Sequence, residues 1–293
     1  MSGGSGGVPT ITADQADPRL APYRGVRDAD LRGRDGLCCV ETPRVVARFL
    51  ASVLWAREHG AASRDALPCV PRSVLCDPRG LEAVAGLLAR MPEVEVFLAP
   101  DAESVTAISG YALHSGALAI GVRRDEPGPD SLAGADGTIA ACDGVVHTDN
   151  LGAIFRNAAS FGAAGVLLSP NSSDPLLRKT VRVAMGRVFD VPWARAAEWP
   201  QALWDLRARH GWRIVAAEDV PGATDVGTLA PAPRTVVVFG AEGAGVSRAI
   251  LDGADAVARV PMSTRGGALA ADPPSLNVAV ASAVMLDRLC ARQ

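Results

Sequence analysis

The chain has little lysine, few aromatics and no cysteine spacing that a metal or a redox couple would use. Lys179 is the only lysine among 29 basic residues, and the 293 residues include just 6 Phe, 5 Trp and 2 Tyr. The cysteines, Cys38, Cys39, Cys69, Cys76, Cys142 and Cys290, form no C-x-x-C pair and no metal-like pattern with the four histidines, which argues against structural zinc. The chain does not open on a basic segment followed by an apolar core, and no run approaches membrane-spanning length. The expectation is a reduced, cytoplasmic protein without a membrane partner. A net charge of −3 points to no nucleic acid by itself, although a local basic face can exist on a mildly acidic protein.

What is abundant is Ala, Gly and Val, within an apolar fraction of 48%. That composition suits closely packed α/β layers better than an all-β sandwich. Residues 1–30, rich in Gly, Asp, Pro and Arg and without periodicity, read as a mobile lead-in. From Leu37 the pattern alternates. Strands are expected at Leu37–Val40, Ser73–Cys76, Val94–Leu98 and Ala117–Val122. Between them fall a helix opened by Thr42-Pro43, with Val45, Val46, Phe49, Leu50, Val53 and Leu54 on its apolar face, and helices from Gly80 and after Asp101. This is a small α/β domain spanning 31–125, and the turn-rich stretch 126–142 reads as a linker.

A second α/β domain spans 143–293. Its most distinctive stretch is Gly144–Pro170, read as a strand beginning at Val145-Val146, a turn, a helix and a second strand. Asn150 sits where an N-cap belongs, Leu151, Ile154, Phe155 and Ala158 recur at helical spacing, and Gly162 stops the helix. Arg156 is the one charged residue inside it, among apolar or small neighbours, so its guanidinium needs a partner or a task. Further on, Thr235–Phe239 reads as a strand followed at once by Gly240-Ala-Glu-Gly-Ala-Gly245. The order G-x-x-G-x-G, a glutamate within the turn and the late position all argue against a dinucleotide fingerprint.

Three pieces resemble a family. Asn150-x-Gly152-x-x-x-Arg156-x-Ala158, then Phe239-Gly240-x-Glu242-x-x-Gly245-x-Ser247, then Val260-Pro261-Met262 followed by Ser275-Leu276-Asn277-Val278 are similar in content and order to the three motifs of the SpoU (TrmH-like) family of RNA ribose 2′-O-methyltransferases, in the SPOUT superfamily. The resemblance covers roughly residues 140 to 290. The preceding domain resembles the small ribosomal-protein-like RNA-binding domain that often accompanies this catalytic domain, through its layout and through Ile108-Ser-Gly110 and Gly116–Gly121. True knots are essentially absent from proteins, and the resemblance implies an exception: a C-terminal trefoil knot that cradles S-adenosylmethionine, in a homodimer acting on structured RNA, ribosomal RNA ahead of transfer RNA.

The resemblance also assigns residues. Arg156, Asn150, Glu242, Ser275 and Asn277 fall at the reacting centre, and Gly240, Val260, Met262 and Leu276 at the backbone positions that line the cofactor. A guanidinium hardly ever gives up its proton at neutral pH, so Arg156 is expected to hold the target phosphate and stabilise charge on the 2′-oxygen rather than act as a base. The plainer alternatives are a buried ion pair of Arg156 with Glu242, and N-cap roles for Asn150 and Ser275. The cluster Arg178-Lys179-x-x-Arg182 reads equally as a grip on RNA phosphates or as a solvated helix face. His147 and His114 read as structural. The sequence departs from the family at His147-Thr148, where an Asp-Pro pair is common, and in the long connector Ser263–Pro274. That connector leaves open a knotted RNA-binding protein with weak or no methyl transfer.

Overall fold

The computed structural model describes residues 8–25, 28, 31–32, 36–60, 67–110, 116–262 and 275–290. The connector 263–274 and His114 therefore lie outside the described residues. The chain divides into two compact units, one made of residues 1–125 with 176–190, the other of 126–175 with 191–293.

The first unit is built on five strands, β1 (Ile11–Thr12), β2 (Leu37–Glu41), β3 (Cys69–Cys76), β4 (Glu95–Leu98) and β5 (Ala117–Arg123), in the order β1-β4-β3-β5-β2. The pairs β1/β4 and β4/β3 are parallel, and β3/β5 and β5/β2 antiparallel. Helices α1 (Pro43–His59), α2 (Pro78–Leu88) and α3 (Ala102–Ser109) are each capped by the residue before them: Thr42, Asp77 and Asp101 accept from the backbone N–H of Val45, Gly80 and Ser104. These bonds satisfy donors that a helix start leaves without partners.

The expected mobile lead-in is in part structured. Ile11 and Thr12 pair with β4, and Leu20 and Tyr23 are buried, the Tyr23 hydroxyl 2.7 Å from Ser73 Oγ. Two large apolar side chains outweigh a polar composition here, because their burial offsets the entropy of ordering the segment. The later stretch 176–190 also belongs to this unit. Its helix Arg178–Val183 brings Arg182 to within 2.6 Å and Arg178 to within 3.7 Å of the buried Glu41 carboxylate, and the Phe189 ring packs tilted against Phe49 with centroids 4.5 Å apart. Both arginines of the basic cluster therefore have a carboxylate partner.

The second unit is a seven-stranded, all-parallel sheet in the order β10-β12-β9-β11-β6-β7-β8. Its strands are β6 (Gly137–Asp143), β7 (Gly165–Leu168), β8 (Trp193–Arg195), β9 (Arg213–Ala217), β10 (Thr224–Asp225), β11 (Arg234–Gly240) and β12 (Ala256–Arg259). With it go helices α4 (Thr148–Phe161), α5 (Gln201–His210), α6 (Arg248–Gly253) and α7 (Val278–Leu289), besides the single turn Asp130–Ala133. The stretch read as a linker in fact carries β6, paired on both sides, while Val145-Val146 lies beyond the strand. Thr138 to Cys142 is fully buried, as a parallel strand covered on both faces must be. A run of five such residues between Gly and Asp has no alternation to announce it.

Helix α7 packs on α4, β6 and β11. Asn157 on α4 donates to the Ala279 carbonyl and the Ser282 hydroxyl, and Thr138 at the start of β6 donates to the Leu289 carbonyl. From the adjacent strands β6 and β11 the chain leaves in opposite directions, through α4 to β7 and through α6 to β12. The carboxyl ends of such a pair form the crevice where open parallel sheets bind ligands.

Candidate active site

Three of the five residues assigned to the reacting centre, Asn150, Glu242 and Asn277, are joined by hydrogen bonds at this crevice. Asn150 lies in the first turn of α4. Its side-chain N–H donates to Glu242 Oε2 at 3.1 Å, and its oxygen accepts from Asn277 Nδ2 at 3.1 Å. One buried amide thus joins the turn after β6, the turn after β11 and the start of α7. The expected N-cap role of Asn150 is corrected: the N-cap of α4 is His147, with no side-chain cap bond, and Asn150 stands three residues further on. An amide engaged on both sides by other segments is not free to fold back on its own helix. Ser275 likewise is not the cap of the last helix. Asn277 is, accepting from the Ala279 N–H at 2.8 Å, and Ser275 lies exposed two residues before it.

Arg156, two turns along α4, is exposed, and its guanidinium has no ion-pair partner among the described residues. The buried pair with Glu242 is therefore excluded. The Glu242 side chain is 55% exposed and faces His147 instead, whose Nε2 is 3.7 Å from Glu242 Oε2. The group left to explain on this helix is an exposed guanidinium without an ion pair among the described residues. Such a group is suited to an anionic ligand such as a phosphate.

Gly240, at the end of β11, is needed for a reason other than ligand approach. A Cβ there would lie 2.0 Å from the carbonyl carbon of Gly245, because the turn closes back on itself through paired bonds between Ala241 and Gly245. Gly245 adopts φ +68°, and a side chain there would strike the Glu218 carboxylate. Two carboxylates that motif reading passed over hold this turn. Glu218, just after β9, accepts from the Val246 N–H at 2.7 Å, and Asp143, ending β6, accepts from the Ser247 N–H at 2.8 Å and from the Trp199 indole at 2.8 Å. Each is a charge-assisted bond, roughly twice as strong as a neutral one. Their only sequence signal was an acidic residue at the carboxyl end of a parallel strand.

Val260 and Met262 follow β12 and are half-buried, and Leu276, before α7, is 39% exposed. Among the described residues the exposed large hydrophobics are Trp55, Val122, Val146, Leu276 and Val280, of which the last three lie at this edge or on α7.

Comparison with known proteins agrees with this architecture. Residues 137–287 match the model of the SpoU rRNA Methylase family. An uncharacterized tRNA/rRNA methyltransferase of Mycobacterium tuberculosis is 33% identical over 278 residues, covering 92% of this chain and 88% of its own. Among solved structures, the AdoMet-bound rRNA methyltransferase from Sinorhizobium meliloti superposes with a TM-score of 0.70 at 24% identity, over 95% of each chain. An RNA 2′-O ribose methyltransferase superposes with a TM-score of 0.67 at 21% identity, over 96% of this chain and 97% of its own. The motif resemblance is thereby borne out, and the chain belongs to the SpoU family of RNA methyltransferases.

Proposed function

We propose that this protein methylates a ribose 2′-hydroxyl in structured RNA with S-adenosylmethionine as cofactor, ribosomal RNA ahead of transfer RNA. The observation that carries the reading is the Asn150 bridge, which ties residues from three motifs into one cluster, on a helix whose exposed Arg156 has no ion pair among the described residues. The structural similarity to an RNA 2′-O ribose methyltransferase supports the choice of hydroxyl.

The residues at the crevice fit the cofactor. Val260, Met262 and Leu276 offer partly exposed apolar side chains for an adenine. The exposed backbone of Glu242–Ala244, in a turn already closed by its own bonds, offers N–H groups without backbone partners among the described residues. When bound, S-adenosylmethionine supplies an electrophilic methyl group. The protein's share is to set the 2′-oxygen in line with that methyl, and such positioning is worth about 7–11 kcal/mol. Asn150, Asn277 and Ser275 flank the reacting centre, and Glu242 is held by Asn150. Arg156 grips the neighbouring phosphate and offsets charge on the 2′-oxygen.

In the same reading the C-terminal part around α7 forms a trefoil knot. The exposed Val280 and Leu276 belong to a homodimer interface that adjoins the site, and the first unit is the RNA-binding domain. With RNA as its partner the protein works in the cytoplasm. No helix among the described residues is long and apolar enough to cross a membrane.

Titration calorimetry with S-adenosylmethionine, and transfer of tritiated methyl into ribosomal RNA from cells lacking the gene, test the reading. Binding and 2′-O-methylated nucleosides are expected. Arg156→Ala should keep fold and cofactor affinity and lose transfer, since the side chain is exposed and makes no ion pair among the described residues. Absence of binding at millimolar cofactor would leave a knotted RNA-binding protein without methyl transfer.

A further inference from the structure

We infer that His147 is a catalytic residue of this site, the group that accepts the proton of the ribose 2′-hydroxyl. The inference rests on the methyl-transfer reading above and deepens it. As the 2′-oxygen bonds to the methyl carbon, the methyl–sulfur bond breaks with its electron pair going to sulfur. The oxygen would keep a third bond and a positive charge unless its proton leaves, so an acceptor within reach lowers the barrier.

The composition of the cluster narrows that acceptor. The Arg156 guanidinium is already protonated, the amides of Asn150 and Asn277 are not bases, and the Ser275 hydroxyl is no stronger a base than the ribose itself. Glu242 is a weakly basic carboxylate whose Oε2 already accepts from Asn150. His147 remains, and an imidazole is the side chain suited to proton transfer near neutral pH.

Its placement agrees with this use. It occupies the N-cap of α4, where Ser, Thr, Asp or Asn is preferred, and it makes no capping bond, so helix initiation does not explain it. The ring is 64% exposed and turns Nε2 toward Glu242 Oε2 at 3.7 Å. In the tautomer that carries its proton on Nε2, Nδ1 is the acceptor, and Glu242 steadies the imidazolium that forms. The charged groups near it are Glu242 from the turn after β11 and, two residues on in the first turn of its own helix, Asp149. The imidazolium then returns its proton to water.

The test uses the full chain, tritiated S-adenosylmethionine and ribosomal RNA from cells lacking the gene, with single-turnover rates followed from pH 5.5 to 9. The wild-type rate should rise with pH along an acid limb. His147→Gln should lower the neutral rate by about 10²–10⁴-fold, erase that limb and leave cofactor affinity within twofold. His147→Ala should regain rate with added imidazole, which a merely structural role would not allow. A His147→Gln rate within twofold of wild type, with the same limb, overturns the inference while leaving the enzyme reading intact. No incorporation by the wild type overturns both.

Discussion

The Asn150 bridge can be tested by one isosteric change, Asn150→Asp. The new carboxylate can still accept from Asn277. It loses the N–H that faced Glu242, however, and sets an oxygen about 3.1 Å from Glu242 Oε2. Two unit charges at that separation repel by about 1.3 kcal/mol at a dielectric of about 80 and about 5 kcal/mol at about 20. Asn150 is buried but Glu242 is 55% exposed, so the screened end of that range applies, about 1–3 kcal/mol. Loss of the hydrogen bond to a charged group adds about 1.5 kcal/mol. Asn150→Ala loses both bonds but leaves Glu242 and Asn277 free to hydrate, at a cost of about 1–2 kcal/mol. The aspartate should therefore be the less stable variant at pH 7.5.

The pH dependence has a definite sign. Repulsion in the folded N150D pair raises the pKa of one carboxyl above its unfolded value. As pH falls through that raised value, the folded state binds more protons than the unfolded state and the variant recovers stability relative to wild type. Below about pH 4.5 the gap to Asn150→Ala should close, because a protonated carboxyl can donate where the amide did. Urea unfolding followed by tryptophan fluorescence reads this directly, since Trp193, Trp199, Trp204 and Trp212 all sit in the second unit. An Asn150→Asp chain as stable as wild type at pH 7.5, or a gap that ignores pH, would refute the bridge.

Two further outcomes follow from the packing. Gly240→Ala puts a methyl group 2.0 Å from the Gly245 backbone, so the turn must move; a stability loss of at least about 1–3 kcal/mol and a cofactor affinity weakened tenfold or more are expected by thermal melting and calorimetry. All six cysteines are buried, and burial pushes the Cys76 and Cys142 thiols up to about 12, which leaves about one thiolate in ten thousand at pH 8. The folded chain should show no fast reaction with a disulfide reagent at that pH, and denaturation should release six reactive thiols.

How much of this was legible in the sequence depends on the kind of signal each feature leaves. Helix α1 with its Thr42-Pro43 start announced itself through 3.6-residue spacing and end residues, as did the Gly162 stop of α4. Strand β6 did not, because a short, wholly buried run between Gly and Asp has neither alternation nor length. The ordering of residues 8–25 was hidden for the opposite reason: a few scattered anchors, Leu20, Tyr23 and the partly buried Ile11, hold a segment rich in Asp, Ala and Pro. Nor could local spacing show that 176–190 belongs to the first unit, since that depends on a buried glutamate 141 positions earlier.

The site divides along the same line. Motif order named Asn150, Glu242 and Asn277, yet local rules gave Asn150 the nearest use for an asparagine at a helix start, capping. Its amide is spent instead on partners 92 and 127 positions away, and the capping position went to a histidine that does not cap. Asp143 and Glu218 belong to no named motif, yet they fix the turn through Val246 and Ser247. What brings these groups together is the reversal of strand order at β6 and β11, a property of the sheet that no window of sequence contains. The residues that a motif match leaves unnamed at the ends of those two strands, with their immediate neighbours, are therefore the first place to look for chemistry that the motifs do not name, and His147 is the imidazole among them.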